Sequence, residues 1–244
     1  MQNLQRTFWT YGADKSLKID NPQQDLMYFE SLFAATGFNL NDDVFTPDEL
    51  WKARKSPVYK PVDVEHEIKI NEPKESVIVG SLIESSVEDK DGKKIDKQQD
   101  EFAIISVGCV WQYIFRDVAA NIKKLVADKR MFVSMEAWFN DYDYAISGEG
   151  VVKRNEKTSF LDKSLKAYGG NGKYKGKRIG RVLRNIIFGG VGFVEKPAEP
   201  KAIVRSVAEQ IPSDANKVVE RNVIECLDLS GDNIAYILSR LNRG

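Results

Sequence analysis

The sequence predicts one β-rich α/β domain with short helices between its strands, followed by a helical C-terminal segment. Three observations carry this. Apolar stretches such as "LMYFESLFAATGF" (26–38) and "EFAIISVGCVWQYI" (101–114) are rich in aromatic and β-branched residues and are bounded by turn residues. Helical periodicity is confined to short segments, with "DVAANIKKLVAD" (117–128) the clearest. With 244 residues, 42% of them hydrophobic, the chain can bury one large core, or one core and a small appendage.

Each element follows from local chemistry. Residues 1–25 are polar and mixed and read as an N-terminal arm. Residues 26–38 read as a strand. In "FTPDELWKARKS", Thr46 suits the cap position, Pro47 the first helical turn and Glu49 the third position after the cap, so a short helix is expected over 47–55. "PVYKPVDVEHEIKI" (57–70) is expected to be extended, because proline biases the residue before it away from helix. "SVIVGSLIESSVE" and 101–114 flank a charged segment with Asp91-Gly92 at its tip, which reads as a hairpin. Val118, Ile122, Leu125 and Val126 form one helical stripe leading into "RMFVSMEAWF" (130–139), a core strand.

Beyond it, "DYDYAISGEGVVKRN" reads as strand, turn and strand, and "TSFLDKSLKAYGG" as a short helix ended by glycine. "NGKYKGKR" reads as a solvated basic turn, since its glycine spacing does not fit a P-loop. "IGRVLRNIIFGGVGFVEKPAEP" (179–200) reads as one strand stopped by prolines, and residues 201–244 as mostly helical.

Composition narrows the function classes. Thirty-six basic and thirty-six acidic residues cancel, which does not advertise nucleic acid or a membrane surface as partner. No apolar run approaches the roughly 20 residues needed to span a bilayer, and no secretory signal is read in "MQNLQRTFWTYGADKSLKID". Cys109 and Cys226 read as buried thiols in a reducing compartment. Two cysteines and one histidine argue against a structural zinc site.

The candidate chemistry lies in two strands. In "VDVEHEIKI", His66 alternates with Val62, Val64, Ile68 and Ile70 and is expected on the apolar face, where each ring nitrogen needs a partner. In "RMFVSMEAWF", Ser134 and Glu136 share a face, expected to point inward as a hydroxyl and a carboxylate. A serine is a weak nucleophile until a base takes its proton; histidine is the usual base, and an acid commonly fixes its tautomer. Residue types thus assign Ser134 as nucleophile and His66 as base.

The order and surroundings of these residues resemble the prohead (capsid maturation) proteases of tailed bacteriophages, which share a fold with herpesvirus assemblins. "FTPDELWKARKS" is similar to the helix before the histidine, "PVDVEHE" to the histidine strand, "DVAANIKKLVADKRMFVSMEAWF" to the helix and serine strand, and "GRVLRNIIFGGVGFVEKPAEP" to the late strand ending in a Pro-Ala turn. These segments span roughly 26–200, and His66 precedes Ser134 by 68 residues.

The resemblance implies an α+β fold with a mostly antiparallel β-barrel core surrounded by short helices, divided as arm (1–25), barrel (26–200) and helical segment (201–244). It implies a serine endopeptidase without cofactor or metal. Its substrates would be the scaffold or core proteins, the major capsid protein and itself, inside the immature phage capsid in the host cytoplasm. A homo-oligomer is compatible with this; nucleic acid and membrane are not expected partners. The third catalytic member is open. Assemblins use a second histidine, which this chain lacks, and "FGGVGFV" carries glycines where some relatives have glutamate. Glu136 and Asp143 are the two candidates, each equally suited to pairing with Lys153 or Arg154. The alternative function is a catalytically inactive structural or scaffold component of the particle built on the same fold.

Overall fold

The computed structural model describes residues 17–20, 22–64, 78–194, 196–199 and 201–209. The chain divides into two units, residues 1–210 and 211–244, and all the described residues belong to the first. The described fold is mixed α+β and dominated by sheet.

The elements run β1 (Leu26–Ala35), β2 (Gly37–Phe38), β3 (Asp43–Phe45), α1 (Pro47–Ala53), β4 (Pro61–Val64), β5 (Gly80–Glu88), β6 (Ala103–Trp111) and α2 (Arg116–Ala127). Then come β7 (Phe132–Trp138), β8 (Asp141–Ile146), β9 (Gly150–Val152), two 3-10 turns (Ser159–Ser164 and Lys166–Tyr168), β10 (Lys173–Tyr174), β11 (Lys177–Arg184), β12 (Ile187–Val194) and β13 (Val204–Glu209). A seven-stranded sheet has the order β13-β1-β6-β5-β4-β12-β7. It curls, and its two edge strands meet where Phe132 bridges Ile203. There the Val133 N–H donates to Ala202 O at 2.7 Å and the Val204 N–H to Met131 O at 3.0 Å. A second sheet runs β2-β3-β11-β8-β9, with β10 paired to β11.

The main core lies on the concave side of the curled sheet. Phe29 meets Phe193 at 4.9 Å between ring centroids, and Phe33 meets Phe188 edge-on at 4.9 Å. β1 and β6 are buried on both faces, the outer one through Leu32, Ala35, Ala103 and Ile105, which explains their nearly continuous apolar sequences. The β5–β6 hairpin forms as expected, with Gly92 at positive φ in its tip. α2 buries Ala119 and Ile122 and packs Val118, Leu125 and Val126 against the core.

Five expectations are corrected. Residues 179–200 form two strands in different sheets, because Asn185 adopts a left-handed conformation (φ 53°) and turns the chain between β11 and β12. Residues 204–209 are strand: Ala202 and Val204 enter the main core and β13 pairs with β1, so the fold continues past residue 200. The expected helix over 158–170 is a pair of 3-10 turns, closed by Gly169 at φ 82°. The expected basic turn at 171–178 is a short hairpin, with Lys175 and Gly176 both at positive φ. Finally, Thr46 occupies the cap position of α1 without a side-chain capping bond. Glu49 is instead turned to the Asn185 corner, where its Oε2 accepts the Asn185 N–H at 2.9 Å.

Candidate active site

β7 is an edge strand whose two faces differ. Val133, Met135 and Ala137 pack on the main core, so Ser134, Glu136 and Trp138 point to the opposite face. This corrects the inward orientation expected for Ser134 and Glu136. Both are half-buried and Trp138 is exposed. The strand reads as apolar throughout because its core face is filled by Val, Met and Ala, while its other face holds the hydroxyl and the carboxylate.

β12 lies between β7 and β4, and on this face it contributes glycines. Ser134 is opposite Gly192, and Gly192 is opposite Asp63. Two positions along β7, Glu136 is opposite Gly190, after a bulge that adds Gly189. A Cβ on Gly190 would lie 3.0 Å from the Pro61 carbonyl oxygen and 3.6 Å from Glu136 Oε2. The Glu136 carboxylate therefore leans over β12 towards β4. A Cβ on Gly189 would lie 3.5 Å from the Trp138 indole nitrogen, so the indole rests over that glycine. The result is a glycine-floored trough with Ser134, Glu136 and Trp138 on one wall and Pro61 and Asp63 on the other, in which Gly190, Gly192 and Asp63 are buried.

His66 lies outside the described residues. β4, the strand that ends two residues before it in the sequence, is separated from β7 by β12 alone.

Asp143 lies in the second sheet, on β8, opposite Val182 of β11. Its buried carboxylate accepts the Arg154 N–H at 2.9 Å and Arg184 Nε and Nη2 at 3.0 and 2.9 Å, with Lys153 Nζ at 3.4 Å. Burial pushes this carboxyl up, but the Arg154 N–H, Arg184 and Lys153 outweigh it and hold Asp143 below the usual carboxylate range. Arg184 also reaches Glu49 Oε1 at 3.5 Å, tying β11 to α1. Asp143 thus pairs with Lys153, but Arg154 meets it only through its backbone N–H, because the Arg154 guanidinium pairs with Asp162 at 3.0 Å; the guanidinium on Asp143 is that of Arg184.

Asp63 escaped sequence reasoning. It is 1% exposed and stands on the face of Ser134, in the same cross-strand row. The available signal was a lone carboxylate alternating with Val62 and Val64 in a short apolar strand. Among the described residues no group of three or more His, Cys, Asp or Glu could hold a metal ion. Cys109 is buried and free, and burial raises its thiol above the ordinary value. No protein-family model, curated protein or solved structure matches the chain.

Proposed function

We propose that the chain is a serine endopeptidase of the prohead-maturation kind, built on an assemblin-like barrel, with Ser134 as nucleophile and His66 as base. The observation that carries the reading is the setting of Ser134. It stands half-buried mid-strand on the face of β7 turned away from the main core, beside a trough whose floor is glycine and whose far wall is the strand leading towards His66 in sequence. A glycine floor leaves room for a polypeptide backbone to approach a serine. In this reading His66 takes the Ser134 Oγ proton as Oγ attacks the scissile carbonyl, then delivers it to the departing amine. Of the two acids expected from sequence, Glu136 is favoured, because its carboxylate leans into the trough while that of Asp143 is engaged by Arg184, Arg154 and Lys153. The substrates would be scaffold or core proteins, the major capsid protein and the chain itself, inside the immature capsid.

Ser134→Ala removes one oxygen and little volume from a half-buried position, so it should abolish cleavage and leave the melting temperature within about 2 °C of wild type. The assay is cleavage of a co-expressed major capsid protein, together with self-shortening of the chain. Undiminished cleavage by the variant ends the serine-protease reading.

A further inference from the structure

We infer that the face built by the turn over 157–163 and the hairpin over 173–178 binds single-stranded nucleic acid, with the Phe160 ring as a stacking platform and Lys157, Lys163 and Lys175 as phosphate contacts. This goes beyond the protease reading and stands whether or not Ser134 cleaves peptides. The neutral composition conceals a local surplus. Residues 153–178 hold nine basic and two acidic residues, and the rest of the chain balances them with 27 basic against 34 acidic. Five of the nine cations are neutralised where they stand: Lys153 by Asp143, Arg154 by Asp162, Lys166 and Arg178 by Asp42, and Lys177 by Glu149. Among the described residues, no carboxylate pairs with Lys157, Lys163, Lys173 or Lys175, and all four are exposed. Like charges gathered without partners create a positive potential that draws an anion.

Three of these lysines surround an exposed ring. The turn begins at Asn155, whose carbonyl accepts the Thr158 and Ser159 N–H groups at 3.0 and 2.9 Å, and runs on as the 3-10 helix Ser159–Ser164. Side chains three apart eclipse in such a helix. Lys157, Phe160 and Lys163 form the solvent row, while Leu161 and Leu165 are buried. At a rise of about 2.0 Å per residue the two lysines stand ~12 Å apart with the ring midway. The hairpin adds a second pair beside this row. Tyr174 meets Phe160 at 6.0 Å between ring centroids, and Lys175 Nζ lies 5.3 Å from the Tyr174 ring. The turn is braced from below: Asp162 Oδ1 accepts the Tyr142 and Tyr144 hydroxyls at 2.8 and 2.7 Å, and Oδ2 accepts Arg154 Nη2 at 3.0 Å. The backbone carrying ring and cations is therefore fixed before a ligand arrives, which lowers the ordering cost of binding. Cations on both sides of an exposed ring suit a chain that alternates phosphate with a flat base. An acidic polypeptide would use the lysines and leave Phe160, 54% exposed, without a role. A duplex keeps its bases inside the stack, away from such a ring.

Fluorescence anisotropy of labelled oligo-dT and oligo-U reports binding by the full chain, each strand being about 12 nucleotides, within the ~4–16 usual for such sites. Binding at about 10⁻⁴–10⁻⁶ M is expected at low salt, with log affinity falling against log salt at a slope near about −2, as three phosphate contacts at about −0.7 each require. Binding of either strand supports the site and names the sugar it takes. Phe160→Ala should weaken binding about tenfold with the slope unchanged, because a base loses its stacking partner. Phe160→Leu keeps apolar bulk without a flat face and should lose as much. Replacing Lys157, Lys163 and Lys175 together by Gln should weaken binding about 10²-fold at low salt and flatten the slope towards zero. These side chains are exposed, so the variants should melt within about 2 °C of wild type. No binding at low salt, binding that survives the triple replacement, or a Phe160→Ala affinity within about twofold of wild type overturns the inference. Displacement of the strand by polyglutamate or by a duplex at equal charge concentration overturns it too, and leaves a plain cationic surface.

Discussion

Replacing Asp143 by Asn distinguishes a structural acid from a catalytic one, and the network around it sets the size of the effect. Asn keeps the shape and can still accept the Arg154 N–H now made at 2.9 Å. It loses the charge that holds Arg184 Nε and Nη2 at 3.0 and 2.9 Å and Lys153 at 3.4 Å. Arg184 is not stranded, because Glu49 lies 3.5 Å away. Lys153 contributes little, being 73% exposed and screened by water. The loss is then close to two charge-assisted hydrogen bonds made by a partly exposed guanidinium, about 2–3 kcal/mol in total. In a domain of this size each kcal/mol moves the melting temperature by about 2–4 °C, so Asp143→Asn should melt about 4–12 °C lower.

The pH dependence has a definite sign. Asp143 is held below its ordinary value of 3.8 in the folded chain. Its stabilisation is therefore fully present above that value and is lost as pH falls through the folded pKa. The gap between wild type and variant should be steady from about pH 7 to 5 and should close below about pH 4. Calorimetry across this range gives the melting temperatures, and the cleavage rate per folded molecule gives the activity. An unshifted melting temperature with cleavage reduced by orders of magnitude would refute the structural assignment and return Asp143 to the catalytic candidates.

Three further outcomes are expected of the same fold. A chain cut after Pro200 should be insoluble or molten, because it loses Val204 and Ala202 from the main core and the strand paired to β1; one cut after Gln210 should keep the cooperative melt of the first unit. Gly180→Ala should destabilise the second sheet by roughly 2–4 kcal/mol, read as a shift in denaturant midpoint, since the added Cβ would lie 2.0 Å from the Asp42 carbonyl oxygen. Glu136→Gln should lower the cleavage rate with little change in melting temperature, its side chain being half-buried and leaning into the trough; unchanged cleavage would remove Glu136 from the candidate acids.

How far the sequence foretold these features depended on whether local signals agreed. The β5–β6 hairpin was legible because its apolar runs and the Asp91-Gly92 tip point to the same structure. α2 was legible because one stripe repeats over three turns. The β11–β12 corner was hidden, since Asn185 lies between Leu183 and Ile186 with no glycine or proline to mark a left-handed residue. β13 was misread because Val204 and Val207, three apart, fit a helical stripe, and the two open sheet edges that recruit this segment exist only in the folded chain. The pairing of Ser134 and Glu136 on one face followed from period two, but period two alone does not say which face meets the core. The row joining Asp63 to Ser134 could not be seen at all. It depends on β12 being inserted, parallel to one neighbour and antiparallel to the other, between strands about seventy residues apart.

The bridge between Phe132 and Ile203 has a consequence for the order of assembly. β1 precedes the other described strands, yet the residues it pairs with on β13 lie more than 170 positions further along the chain, and β7 meets that same late segment. Pairings so distant in sequence form slowly, because the closure entropy must be met before any contact rewards it. On a ribosome adding residues from the N-terminus, both margins of the curled sheet stay open until residues 202–209 have emerged. The strand that carries Ser134 thus gains this neighbour only after residues 202–204 have been made. A nascent chain therefore cannot close the seven-stranded sheet before residues 202–209 are available, so the topology itself acts as a clock on when the β7 face that carries Ser134 and Glu136 is fixed in place.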